Sequence, residues 1–143
     1  MLKIRSQQMQ AFQSVAERAF LRKLKEYLFE QHAQVAVQLP ESLTVIAQIP
    51  ENQLNILITN GINRARAYGI SSETALAAFV VLMFVTAPNF DDHPLIKRLL
   101  KDERIAANER LDSLWQHTTE QNWQVVKQNY KAKAWQVSGE ESK

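Results

Sequence analysis

Cysteine is absent from this 143-residue chain, which excludes disulfides and thiolate metal sites and says nothing positive about compartment. Glycine and proline are scarce, at 3 and 4, too few for a sandwich or barrel with many tight turns. Long helices joined by short connections are the expectation. The amino-terminal stretch MLKIRSQQMQAF becomes polar at once and lacks the apolar core of a signal peptide, so a cytoplasmic protein is expected. Charge of one sign is also missing. The 17 cationic and 15 anionic residues leave a net charge of +2, a nearly balanced surface that does not by itself imply a nucleic-acid partner.

What the chain does have is ETALAAFVVLMFVTAPNFD from Glu73 to Asp91, a run with no charge between its two acidic ends. Between Ala75 and Ala87 every residue except Thr86 is apolar, and the richness in Ala, Leu and Met favours helix over strand. A helix apolar on all sides is normally buried. A membrane span needs about 20 apolar residues, and Pro88 ends the run too early for that. The run therefore predicts a central core helix capped by Ser71 or Ser72. An exposed flank on it would point to a dimer, which the sequence cannot show.

Around that helix the periodicity predicts a single all-α domain of five or six helices over residues 1–130, a bundle with a frayed polar tail over 131–143. Ser6 caps a long first helix with Met9, Phe12, Ala16, Ala19, Phe20, Leu24, Tyr27 and Leu28 on its core face. Residues 33–50 alternate as a strand would, yet no other segment offers a convincing partner, so a short helix from Ser42 to Ile49 is favoured. Pro50 opens a helix running to Tyr68 with Leu54, Leu57, Ile58, Gly61 and Ile62 on one stripe. Gly61 reads as a point of close helix approach or as a hinge, and Gly69 as a left-handed terminator. Pro94 opens a short helix, and a last helix runs from about Glu103 to Tyr130.

Candidate chemistry is thin. Asn89, Asp91, Asp92 and His93 are the densest polar cluster, but their spacing matches no established metal loop, and capping by Asp92 or His93 ahead of Pro94 accounts for them. The three histidines, His32, His93 and His117, are scattered, and no HExxH, GxSxG, phosphate-loop or dinucleotide motif occurs. No cofactor, metal or catalytic residue is expected. Arg64 and Arg66 beside Tyr68 are of the type that grips phosphate or carboxylate, yet positions two apart on a helix point in different directions. Trp123 and Trp135 are candidate partner contacts if exposed and packing residues if not.

Gly61 and Ile62, RARAYGISSE from Arg64 to Glu73, Phe79, LMFV from Leu82 to Val85, and PNFD from Pro88 to Asp91 together resemble a known family. It is a family of small uncharacterised helical bacterial proteins encoded in type VI secretion effector gene clusters. Ile4, Arg5, Gln8, Met9 and the helix through Phe20 are similar too. Members commonly carry glycine where Ala87 stands, and the part after Asp91 is variable, here unusually polar. The resemblance implies a non-catalytic protein-binding accessory: an effector adaptor or chaperone, or a cytoplasmic immunity protein. Its partner would be a secreted effector or spike component. The expected partner surface comprises Arg64, Arg66, Tyr68, Asn89, Phe90, Asp91, Asp92, His93, Trp123 and Trp135. The alternative is a nucleic-acid or phosphate-ligand binding domain using Arg18, Arg22, Lys23 and Lys25 on the first helix.

Overall fold

The computed structural model describes the backbone over residues 6–136 and the side chains over 17–136. The described chain is predominantly α-helical, with six α-helices and one two-stranded sheet. In order these are α1 (Ser6–His32), β1 (Ala36–Gln38), β2 (Leu43–Val45), α2 (Glu51–Arg66), α3 (Glu73–Val85), α4 (Pro94–Leu100), α5 (Arg110–His117) and α6 (Glu120–Gln128). Among these residues no helix is long and apolar enough to cross a membrane. The predicted tail splits at the limit of description: residues 131–136 are described and 137–143 lie outside.

The α2–α3 hairpin is the centre of the fold. Pro50 precedes α2, and Gly69, at φ 89°, closes it in the left-handed region that favours glycine. Ser72 then caps α3 by accepting a hydrogen bond from the Ala75 amide at 3.2 Å. The side chain of Asn108 reinforces this corner, its Oδ1 accepting from the amides of Ser71 and Ser72 at 2.7 and 3.0 Å. Within the hairpin Gly61 faces α3 so closely that a Cβ there would lie 3.0 Å from both Met83 Sδ and Val80 Cγ2. Close approach, rather than a hinge, explains this glycine. Phe79, Val80, Met83 and Phe84 of α3 are buried, as are Leu54, Ile58, Ile62 and Ala65 of α2.

Helix α1 lies antiparallel to α2, held by Lys25 to Glu51 at 2.9 Å and by Glu17 to Arg66 at 3.5 Å. Leu24 and Leu28 enter the core, whereas Tyr27, expected beside them, is exposed. Ser6 and the stripe positions Met9, Phe12 and Ala16 fall where side chains are not described.

Three expectations are overturned. The segment predicted as a helix from Ser42 to Ile49 is strand β2 followed by a 3-10 turn at Ile46–Gln48. Its partner is β1, paired antiparallel with Ala36 opposite Val45 and Gln38 opposite Leu43, so the two halves of the alternating stretch are each other's missing strand. The long last helix is broken. Thr118 turns its hydroxyl back onto the Leu114 carbonyl at 2.6 Å, and Thr119 starts α6 with a reciprocal cap to Asn122.

The described part of the tail packs instead of fraying. A 3-10 turn at Ala132–Trp135 places the Trp135 ring, 1% exposed, against Phe84 at 4.7 Å between ring centres. The Trp135 indole N–H donates to the Tyr130 hydroxyl at 2.9 Å, and its carbonyl accepts from Asn60 Nδ2 at 3.0 Å. Tyr130 in turn donates to the Gln38 carbonyl at 2.9 Å and accepts from the Gln38 amide at 3.2 Å, occupying a β1 edge that would otherwise be open.

Candidate functional site

Residues of the RARAYG and PNFD segments fold into one polar cluster. Arg64, near the end of α2, points across the hairpin to Asp91, in the 3-10 turn Phe90–Asp92 that follows α3. Its Nε donates to both carboxylate oxygens at 3.0 and 3.1 Å, and one terminal nitrogen lies 2.9 Å from Oδ1. Tyr68, one helical turn beyond Arg64, donates its hydroxyl proton to Asp91 Oδ2 at 2.6 Å. Asp92 extends the group, 3.6 Å from Arg64 and 3.7 Å from Lys97.

Burial and this bonding set the protonation states. The Asp91 side chain is 3% exposed, and Arg64 and Tyr68 both bond its carboxylate. For Arg64 the carboxylate outweighs the cost of burial and holds its proton more firmly than usual. Burial first, and the hydrogen bond to Asp91 second, push the Tyr68 hydroxyl well above its ordinary value.

The cluster is structural in character. Asp91 uses both oxygens internally, Phe90 is fully buried between Phe79 and Trp123, and Asn89 is buried and bonded to the tail. Asn89 Nδ2 donates to the Asn129 carbonyl at 3.0 Å, and its Oδ1 accepts from the Lys131 amide at 2.9 Å. His93 accepts from the Leu95 amide at 3.2 Å, capping α4 ahead of Pro94. Arg66, two positions from Arg64, turns away to Glu17. Of the ten predicted contacts only Arg66 and Asp92 are exposed, with Arg64, Tyr68, His93 and Trp123 half-buried. Trp123 donates its indole proton to Thr118 at 2.9 Å and packs on Trp115.

A depression of about 730 Å³ beside this cluster collects Arg64, Lys97, Lys101 and Arg110. Two helices, α2 and α4, end here with partial negative charge, which the cations offset. Arg110 serves them directly, donating to the carbonyls of Tyr68, Leu100 and Ile105 at 3.0, 3.0 and 2.9 Å. Its bonds are thus to backbone, as a helix-end clamp requires. On the predicted basic face of α1, Lys25 is bonded to Glu51, while Arg18, Arg22 and Lys23 are exposed.

The site the sequence did not reveal is an apolar groove of about 730 Å³ between α1 and α5, floored by α3. The outer side of α3, at Ala77, Ala78, Val81 and Val85, is not covered as its inner side is. An all-apolar helix was expected to be buried all round, and this flank departs from that. Phe20, Leu24 and Tyr27 form the α1 wall, and Leu111 and Trp115 the α5 wall. Tyr27 and Trp115 are 46% and 57% exposed. Trp115 follows Leu114 by one residue, a step of about 100° on a helix, which takes it off the buried stripe. The groove's lining is mostly apolar, with Lys23, His32, Glu73, Thr74 and Asp112 among its residues. Among the described residues no group of three metal-ligating side chains occurs. Comparison of the chain with protein-family models, with curated proteins and with solved structures finds no match in any of the three.

Proposed function

We propose that this chain is a non-catalytic protein-binding accessory whose docking face is the apolar groove on α3. In keeping with the resemblance of its RARAYG, LMFV and PNFD segments, the partner is a secreted effector or spike component of a type VI secretion system. The chain then acts as an effector adaptor or chaperone, or as a cytoplasmic immunity protein. The observation that carries the reading is the open apolar side of α3, flanked by the exposed rings of Tyr27 and Trp115. A half-exposed tryptophan beside an apolar groove is the kind of anchor that dominates binding energy in protein interfaces. Small floor residues let a partner helix approach at the close range typical of helix packing.

The test is capture of the products of neighbouring secretion genes by the tagged full-length chain. Ala78→Glu, which puts a carboxylate on the groove floor, and Trp115→Ala, which removes an anchor, should each abolish capture, whereas raising salt should change it little. Capture that ignores both substitutions would sink the docking face. Affinity that falls steeply with salt would favour phosphate-driven binding through α1 instead.

A further inference from the structure

The apolar groove on α3 is edged by charge at fixed places. Its lining includes Glu73, the first residue of α3, together with Asp112 on the α5 wall and Lys23 on the α1 wall. Asn108 bonds the amides of Ser71 and Ser72, next to Glu73, so Asp112 in the first turn of α5 lies toward the same end. Two carboxylates therefore share one end of the groove. Each suits the positive end of its own helix, yet a full charge exceeds the half charge there, which leaves that end acidic. Lys23 stands further along. Glu17 lies level with the acidic end, through its contact with Arg66 at the end of α2 that leads into α3, and Lys23 follows Glu17 by six residues, about 9 Å on a helix. Glu73, Asp112 and Lys23 are all exposed, and none has an ion-pair partner among the described residues.

We propose that the groove takes an amphipathic helix of a partner protein with a lysine or arginine at the end over Glu73 and Asp112 and an aspartate or glutamate about two turns further along, beside Lys23. The inference rests on the groove being a helix-docking face and assigns its occupant a charge pattern. Apolar contact supplies the affinity, because α3 is uncharged from Thr74 to Val85. The rim charges supply the register. A helix with the two signs exchanged sets a cation against Lys23 and a carboxylate against Glu73 and Asp112, and is disfavoured. The floor is the 13 residues of α3, about 20 Å, so a helix of roughly four turns fills it.

Synthetic stapled helices of about 18 residues, all with the same apolar stripe, test this. One pair carries a lysine near either terminus and a glutamate about two turns inward, and a second pair has the signs exchanged. By fluorescence anisotropy on the full-length chain, the better of the first pair should bind about fivefold more tightly than either of the second. Glu73→Gln with Asp112→Asn should erase that preference. Glu73→Lys, Asp112→Lys and Lys23→Glu together, with helical circular dichroism unchanged, should reverse it. Ala78→Glu should abolish binding of every peptide. A preference that survives the Glu73→Gln, Asp112→Asn variant overturns the proposal. Equal binding of the two pairs that Ala78→Glu abolishes overturns the charge pattern and leaves the docking face standing; binding that ignores Ala78→Glu, or no binding at all, overturns both.

Discussion

Tyr68 donates its hydroxyl to Asp91 at 2.6 Å across a separation of 23 residues, tying the end of α2 to the turn that leaves α3. Together with Arg64 on the same carboxylate, it fastens the turn after α3 to the connected end of the hairpin. Removing the carboxylate should therefore weaken the fold before it affects any partner. Asp91→Ala leaves a partly buried guanidinium without its counter-charge, and a loss of about 3 kcal/mol is expected. Urea denaturation measures this, and a loss below about 1 kcal/mol would show that the cluster is dispensable for stability.

The raised Tyr68 hydroxyl gives an alkaline signature. Its ordinary value is 10.0 and its folded value is higher, so above pH 10 the unfolded chain releases this proton while the folded chain keeps it. The unfolded state then binds fewer protons, and stability falls as pH rises from about 10 upward. Below pH 10 the contribution is fully present. Burial raises Tyr130 in the same direction. Tyr68→Phe should flatten part of the fall between pH 9 and 11.5, as followed by the urea midpoint; an unchanged slope would refute the assignment.

Gly61 tests the close approach of α2 and α3. Any side chain there meets Met83 Sδ and Val80 Cγ2 at 3.0 Å, and although the methionine can move, the branched valine cannot do so freely. In Gly61→Ala the helix-propensity gain of about 1 kcal/mol offsets the crowding, leaving stability near that of the parent. Gly61→Val adds two methyl groups and should cost about 2 kcal/mol by overpacking. A stabilised valine variant would mean the helices can separate without loss.

Two tryptophans should respond in opposite ways. Trp135→Ala empties a site packed on Phe84 and should cost about 3–5 kcal/mol. Trp115→Ala removes an exposed ring that packs only partly, on Trp123, and should cost about 1 kcal/mol while eliminating partner capture. Thermal unfolding of the two variants side by side separates a core residue from a contact residue.

The hairpin was readable because its signals are local: Pro50, Gly69 and Ser72 each act within one turn of their own position, and Gly61 interrupts an otherwise apolar stripe. The divergence of Arg64 and Arg66 was likewise a matter of helical angle, and the structure sends one to Asp91 and the other to Glu17. The β-hairpin was hidden by its size, since strands of three residues leave too little alternation to outweigh a helix reading. The packed tail was hidden by composition. In a polar stretch Trp123, Val126, Tyr130 and Trp135 reach inward, and the partners of Tyr130 and Trp135, namely Gln38, Asn60 and Phe84, are far away in sequence. The groove was hidden for a third reason, that a helix apolar on every side gives no angular contrast from which an uncovered flank could be inferred.

The hydrogen bonds from Tyr130 to Gln38 and from Asn60 to the Trp135 carbonyl span 92 and 75 residues. During synthesis from the amino terminus, α1 to α5 emerge while the Trp135 site on Phe84 is still vacant and the β1 edge still bare. Until the segment around Trp135 arrives, the nascent chain displays an unpaired strand edge and an uncovered aromatic ring, both of them features that chaperones and aggregation compete for. That segment therefore decides not only how stable the finished protein is, but how long each new chain must be guarded.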